Sequence, residues 1–238
     1  MPVTSSVIRG MLFGCMALAL NGCADAGPAG NFSNQFGATK PSTHLKVDFD
    51  DTEAGKTPAE FTAGLTGGGG PASWVVQDDS KAPSGKRVLA QTSADSTDYR
   101  FPLCVHKDFS AKDVQVSVQF RAVAGKVDQA GGLVVRYRDK DNYYVVRANA
   151  LEDNVRLYHV VNGERKQFAG ASTKVSRGEW HRLMLGVKGS HFQVFFDDKP
   201  LFEADDATFK DAGRVGMWTK ADSVTQFDDL TVEGFDAK

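Results

Sequence analysis

Val114-Gln115-Val116-Ser117-Val118-Gln119-Phe120-Arg121 is the stretch that decides the fold. Apolar Val114, Val116, Val118 and Phe120 alternate with polar Gln115, Ser117, Gln119 and Arg121. A period of two sends one set into a core and the other to solvent, the pattern of a half-buried β-strand. The same reading repeats outward. Leu133–Arg138 (LVVRYR) and Asn142–Asn149 (NYYVVRAN) are two further strands, and the polar Asp139-Lys140-Asp141 between them makes a hairpin. Val155–Val161 runs into Asn162-Gly163, the preferred pair of a type I′ turn. Trp180–Val187, His191–Phe196, Leu201–Ala204, Val215–Thr219 and Phe227–Val232 continue the meander, with a turn at Asp197-Asp198-Lys199. No window carries an apolar stripe at helical spacing over three turns. The expected fold class is all-β, with roughly a dozen strands packed as a two-sheet sandwich. The predicted core face is Val116, Val118, Phe120, Leu133, Val135, Leu157, Leu183, Leu185, Val194, Val215, Met217 and Leu230.

Composition sets outer limits. The 238 residues are 41% hydrophobic and 24% charged, enough for one sizeable core. The formal net charge is −2, and no block of lysines or arginines offers a phosphate-neutralising face, which argues against a nucleic-acid partner. The 24 glycines suit a chain of many turns. Gly67–Pro71 (GGGGP) reads as a surface loop inside the fold.

The N-terminus carries an address. Arg9 precedes the apolar run Met11–Leu20 (MLFGCMALAL). That run is too short for a membrane-spanning helix, which needs about 20 residues, but it suits the apolar part of a signal peptide. Leu20-Asn21-Gly22-Cys23 resembles the bacterial lipobox, whose cysteine receives diacylglycerol, with Asn21 departing from the usual small residue. Residues 1–22 are therefore expected to be a lipoprotein signal peptide, 23–43 a flexible tether, and 44–238 the sandwich. An ordinary secretory signal cut near Ala24 or Ala26 is the alternative. Lipid on Cys23 places the domain in the cell envelope, facing periplasm or exterior and held to the membrane only by that lipid. Ala24 lacks the retention aspartate of inner-membrane lipoproteins in enteric bacteria, which leans towards the outer membrane, although Asp25 follows one place on. Of the remaining cysteines, Cys15 leaves with the signal, and Cys104, between Leu103 and Val105, reads as a small buried apolar residue.

Three runs carry a resemblance: GGLVVRYRDKDNYYVVRANALEDNVRLYHVVNGER from Gly131, EWHRLMLGVKGSHFQVFFDDKPLFEADDATF from Glu179, and GRVGMWTKADSVTQFDDLTV from Gly213. Their order resembles the concanavalin A-like (laminin-G-like) jelly-roll domains of bacterial exported proteins, nearest the group described as 3-keto-disaccharide hydrolase domains. The resemblance covers about residues 45–235. It implies a single jelly-roll sandwich and a saccharide-related role, since this sandwich hosts lectins, glycosidases, lyases and structural modules.

No catalytic motif accompanies it. Retaining glycosidases of this fold use Glu-x-Asp-x-Glu or Glu-x-Asp-x-x-Glu on one strand. The chain's only Glu-x-Asp, Glu203-Ala204-Asp205, is followed by Ala207 and Thr208 where the third carboxylate belongs, and reads as solvated loop acids. The five histidines, His44, His106, His159, His181 and His191, are scattered singly, and no Gly-x-Ser-x-Gly elbow is present. Two weaker constellations remain. Asp48, Asp50 and Asp51 near the start and Asp228 and Asp229 near the end would converge if the first and last strands pair. Asp48, Asp50, Asp228 and Asp229 are thus candidates for a structural Ca²⁺; exposed strand-end charges are the alternative. Arg136, Arg147, Asn149, Trp218 and Lys220 are the candidate ligand-binding set, an indole to stack on a sugar ring with donors beside it. Arg136 and Arg147, on strands joined by a short turn, are expected to be cross-strand neighbours. Against this set stands a Trp218 packed in the core and arginines that merely solvate an outer face.

Three functions follow: a carbohydrate-binding or envelope-associated module, with a saccharide or cell-wall glycan as partner; a glycoside-acting hydrolase or lyase; and a structural surface protein that binds another protein. A monomer is expected.

Overall fold

The computed structural model of the chain describes residues 35–235. They form fifteen strands and no helix, arranged in two antiparallel sheets. The first sheet runs, in spatial order, β13 (Lys199–Asp205), β12 (His191–Phe196), β11 (His181–Lys188), β6 (Val114–Ala124), β15 (Val224–Gly234), β4 (Arg87–Gln91) and β3 (Trp74–Asp78). β1 (Thr43–Val47) also pairs with β15, so the first and last strands do lie side by side. The second sheet runs β10 (Glu164–Ser172), β9 (Asn154–Val161), β8 (Asn142–Asn149), β7 (Ala130–Asp139), β14 (Gly213–Trp218), β5 (Arg100–Ala111) and β2 (Phe61–Gly67).

The alternation in β6 does what its period dictates. Val116, Val118 and Phe120 enter the core between the sheets, and all twelve predicted core residues lie in that one cluster. Asn162 and Gly163 both have positive φ, as a type I′ turn requires, and they set β10 on β9 with Val160 opposite Arg165. The sequence reading passes over β5 because its pattern is not alternating: Arg100 to His106 are all buried. A strand covered on both faces shows a near-continuous buried run instead.

That double burial defines the architecture. On its far face the second sheet carries another apolar cluster, including Phe101, Leu103, Val134, Tyr143, Val145, Tyr158 and Trp218. Two ties close this face over. The Tyr99 hydroxyl donates to the Gly163 carbonyl (2.8 Å) and accepts from the Arg165 amide (2.8 Å). The Thr66 hydroxyl donates to the Lys140 carbonyl and bonds to the Tyr143 hydroxyl. The ties join the β2–β5 edge to the β9–β10 turn at the opposite edge and to the β7–β8 turn in mid-sheet, so long side chains roof the sheet.

Part of the 23–43 stretch expected to be a tether packs on the domain. Phe36 is buried and stacks on Phe235 with ring centroids 3.8 Å apart, and the Gln35 amide donates to Gln193 Oε1 (2.9 Å). Both sit over Gly186, where a Cβ would come within 2.9 Å of Gln35 Nε2. Cys23 and the signal segment lie outside the described residues.

Candidate functional site

Three loops of the second sheet meet where β7 begins and β8 ends: the β6–β7 loop, the β8–β9 turn and the β14–β15 loop. The segment leading into β5 joins them. Asp222 builds this corner by accepting the backbone N–H groups of Lys126, Val127 and Asp128 at 2.7–3.2 Å. Asn149 caps the β8–β9 turn, its Oδ1 accepting from Leu151 and Glu152. Arg100, fully buried, donates to the carbonyls of Gly70, Pro71 and Ala221 and to Ser93 Oγ. The loops are thus fixed from beneath by charge-assisted bonds, the kind that gives geometric definition.

A network of charges lies on this base. Asp128, sealed from solvent, accepts from Asn149 Nδ2 (2.8 Å) and pairs with Lys220 Nζ (3.0 Å). Lys220 also pairs with the exposed Asp98 (2.6 Å). Burial pushes the Asp128 carboxyl up, and Lys220 only partly offsets it. Burial opposes the Lys220 ammonium as well, but Asp98 and Asp128 outweigh it and hold Lys220 above the usual lysine range. Arg147 donates to Asn154 Oδ1 (2.7 Å), Glu152 Oε2 (2.8 Å) and the Tyr158 hydroxyl (3.1 Å). Its cross-strand neighbour is Gly132, where a Cβ would meet the Val146 carbonyl at 2.6 Å and crowd Arg147 Cβ at 3.2 Å. Burial would raise the Glu152 carboxyl, yet Arg147 and Asn154 leave it below the usual range.

Arg165 is the unusual member. Its guanidinium lies over the rings of Tyr158 (4.5 Å), Phe101 (4.6 Å) and Trp218 (5.7 Å), the stacking geometry that an aromatic face offers a cation. Nη1 is buried and bonds to nothing, and no oxygen among the described residues accepts from the guanidinium at all. Burial makes the charged form less favourable than usual. The side chain is only half-buried, so the group also faces outward. Three of the four large apolar residues exposed among those described, Tyr99, Val127 and Leu151, stand directly beside Asp98, Asp128 and Glu152 in the chain.

Residues 101–235 match the family model described as "Galactocerebrosidase, C-terminal lectin domain", and this match covers more than half of the chain. The chain belongs to that lectin-domain family. Its matched part begins in β5 and includes every residue of the charge network except Asp98; Tyr99 and Arg100 also precede it. Among curated proteins, a levanase of Bacillus subtilis (strain 168) is 27% identical over 107 residues, which is 44% of this chain but only 15% of the levanase. Among solved structures, the carbohydrate-binding module CBM66 from Bacillus subtilis superposes with a TM-score of 0.59 at 20% identity, covering 74% of this chain and 96% of the module. The Emp47p carbohydrate recognition domain gives 0.55 at 16% identity, covering 82% and 97%. At such identities these structures speak for the shared all-β sandwich alone.

Against this geometry the predicted ligand set divides. Arg147, Asn149 and Lys220 come together around Asp128 and Glu152. Trp218 shares their face but is fully buried, stacked on Phe101 (5.3 Å) and roofed by Arg165, so its indole presents no surface to a sugar. Arg136 is elsewhere. Arg147 pairs with Gly132, four residues earlier on β7, so the expected cross-strand pair does not form, and a bulge between Val135 and Asp139 gives Arg136 a positive φ of 48°. Its guanidinium instead donates to the carbonyls of Lys112, Phe209 and Gly189, with Asp113 at 3.8 Å. The four candidate calcium aspartates are not gathered either. Asp228 is buried and accepts from the Ser84 amide (3.0 Å), Asp50 accepts from the Lys86 amide (2.9 Å), Asp48 from the Asp50 amide (3.3 Å), and Asp229 faces Lys46 (3.9 Å). Among the described residues no three His, Cys, Asp or Glu side chains are placed to share a metal ion. Glu203 and Asp205 lie on the edge strand β13, both facing His191 (3.7 and 3.2 Å), in a strand rather than the expected loop. Cys104 is buried, and burial pushes its thiol far up, as befits an inert core residue.

Proposed function

We propose that this domain is a non-catalytic carbohydrate-recognition module, and that its site is the loop-rimmed corner around Arg165, Tyr158, Arg147, Glu152 and Lys220. The observation that carries this reading is the Arg165 guanidinium, stacked on aromatic rings and given no acceptor by the described residues. A sugar hydroxyl supplies that acceptor. The outward lone pairs of Glu152 and Asp98 take hydroxyl protons in return, and Tyr99, Val127 and Leu151 offer apolar contact to the C–H faces of a ring. A glycan array probed with the soluble mature chain tests it, each hit being assayed for sugar release. Arg165→Ala and Glu152→Gln should each remove binding while the melting temperature moves by no more than a degree or two. Unchanged binding in both variants places the site elsewhere, and shortened oligosaccharides make the domain a glycoside-acting enzyme.

The lipid on Cys23 and the envelope location belong to the same proposal. Gln35 and Phe36 dock against Gly186 and Gln193, on the outer face of the first sheet, whereas the corner belongs to the outer face of the second. A chain anchored through Cys23 then presents the site on the side opposite its attachment. Cys23→Ala should abolish fatty-acid labelling and membrane association, and equal labelling of wild type and variant rules the anchor out.

A further inference from the structure

A cavity of about 420 Å³ opens between the β1–β2 loop and β5, apart from the lectin-like corner. Its wall holds four carboxylates, Asp48, Asp51, Glu60 and Asp108, none of which is in an ion pair among the described residues. The single cation in the wall, Lys46, is directed to Asp229 at 3.9 Å. Acids alone would mean little, since solvated carboxylates are common on a surface. The fifth polar group is different.

His106 lines the same cavity and is only 7% exposed. Its Nδ1 accepts the amides of Asp108 (3.3 Å) and Phe109 (3.1 Å), and Phe61 packs against the ring in a T-shaped contact with centroids 5.2 Å apart. Two N–H groups aimed at one ring nitrogen require a lone pair there, so the neutral ring carries its proton on Nε2. Burial lowers the His106 pKa and so favours that neutral form, against the opposing pull of Asp108 and Glu60. Nε2–H has no partner among the described residues. The cavity therefore offers one fixed hydrogen-bond donor among four carboxylates outside any ion pair, one of which, Asp48, already accepts the Asp50 amide.

A bare metal ion fits this arrangement poorly. Among the described residues no three His, Cys, Asp or Glu side chains are placed to share one, and freeing Nε2 as a ligand by moving the proton to Nδ1 would set an N–H against two other N–H groups. A simple ammonium satisfies the acids and leaves the His106 donor facing a positive charge. What completes the set is a ligand with an ammonium group and an oxygen acceptor close together. We propose that this cavity is a second ligand site, for a primary amine with a neighbouring hydroxyl oxygen, the chemistry of a sugar bearing a free amino group. The ammonium donates to the carboxylates, and the oxygen accepts from His106 Nε2–H. The volume lies in the ~300–1,000 Å³ range usual for small-molecule sites.

Calorimetric titration of the full mature chain with the disaccharide of glucosamine tests this, with its N,N′-diacetyl form, methylamine and calcium chloride as parallel probes. Glucosamine disaccharide should bind at least tenfold more tightly than the other three. The Glu60→Gln/Asp108→Asn double variant should weaken it at least tenfold with an unchanged melting temperature. Arg165→Ala, which alters the other corner, should leave it unchanged. Equal affinity for the acetylated sugar, methylamine or calcium overturns the proposal, as does absence of binding at millimolar concentration. Binding that is lost in Arg165→Ala but kept in the double variant also overturns it, and assigns the amino sugar to the lectin-like corner instead.

Discussion

Arg136 and Arg147 sit on neighbouring strands, both almost wholly buried, yet they are solvated in opposite ways. Arg136 is surrounded by main chain: the carbonyls of Lys112, Phe209 and Gly189 take its N–H groups, and they come from three separate turns. Arg147 is surrounded by side chains: Glu152, Asn154 and Tyr158 take its protons, and Asp128 adds its field. A cation that bonds to carbonyls holds turns in place and has nothing left to give. A cation that bonds to side chains at a solvent-reaching corner forms part of a surface that a ligand can complete. Arg100 belongs with Arg136, since three carbonyls hold it. Arg165, with no oxygen partner among the described residues, is the furthest case of the other kind.

The largest effect should come from breaking the first kind. Arg136→Ala strands carbonyls of three turns, and at about 1–3 kcal/mol for each group left unsatisfied the loss should be about 3 kcal/mol or more. Urea denaturation measures it. Glycan affinity of the folded fraction should not change; a variant as stable as wild type that has lost binding would reverse the assignment of the two arginines.

Asp228 extends the comparison to an acid solvated by main chain. It is buried, and burial pushes its carboxyl up to about 6 in spite of the Ser84 and Asp229 amides. In an unfolded chain the group titrates near 4. Between those values the folded protein holds a proton that the unfolded chain has released. Stability should therefore be greatest below about pH 4 as far as this group is concerned, decline as pH rises through 6, and stay lowered above it. A shift of this size is worth roughly 2–3 kcal/mol at neutral pH. Asp228→Asn should remove that decline and be the more stable protein at pH 7. Melting curves from pH 4 to 7 in which the two proteins run parallel would show that the carboxyl titrates normally.

Sequence patterning foretold one of these arginines better than the other, and the reason is local geometry. Alternation along β8 puts Arg147 and Asn149 on the face opposite Val146 and Ala148, and they stay there. The same rule applied to β7 fails at Arg136, because the bulge inserts a residue and no turn chemistry in Leu133–Arg138 announces it. Arg165 was legible and passed over. A two-residue turn at Asn162-Gly163 pairs Val161 with Glu164 and Val160 with Arg165, which places Arg165 on the face of Val160 and Tyr158. The burial of Trp218 was not legible, because it depends on Phe101 and Arg165 arriving from strands distant in the chain. Asp98, Asp128 and Glu152 sit in loops, where neither period applies.

Breaking the second kind should cost less stability and more function. Arg147→Ala releases the neutral Asn154 and Tyr158 oxygens and one charged partner, Glu152, whose side chain is 48% exposed and rehydrates readily. A loss of about 1–2 kcal/mol in denaturation should accompany at least a tenfold loss in glycan affinity. A loss of stability with unchanged affinity would make Arg147 a second Arg136.

The smallest expected effect falls on Tyr99, and it separates position from contact. Its hydroxyl donates to the Gly163 carbonyl and accepts the Arg165 amide, so it fixes the backbone from which Arg165 reaches over Tyr158 and Phe101. Its ring packs on Phe101 at 4.7 Å and is 45% exposed. Tyr99→Phe removes only the oxygen. Water replaces it at both exposed backbone groups, so the stability change should be within about 1 kcal/mol. If the corner depends on where Arg165 is held, affinity should fall a few-fold, with the loss appearing as faster dissociation from an immobilised glycan. Tyr99→Ala also removes apolar contact and should fall further. Equal affinities for Tyr99→Phe and wild type, with loss confined to Tyr99→Ala, would show that the ring contributes contact surface and that Arg165 holds its place through the three aromatic rings alone.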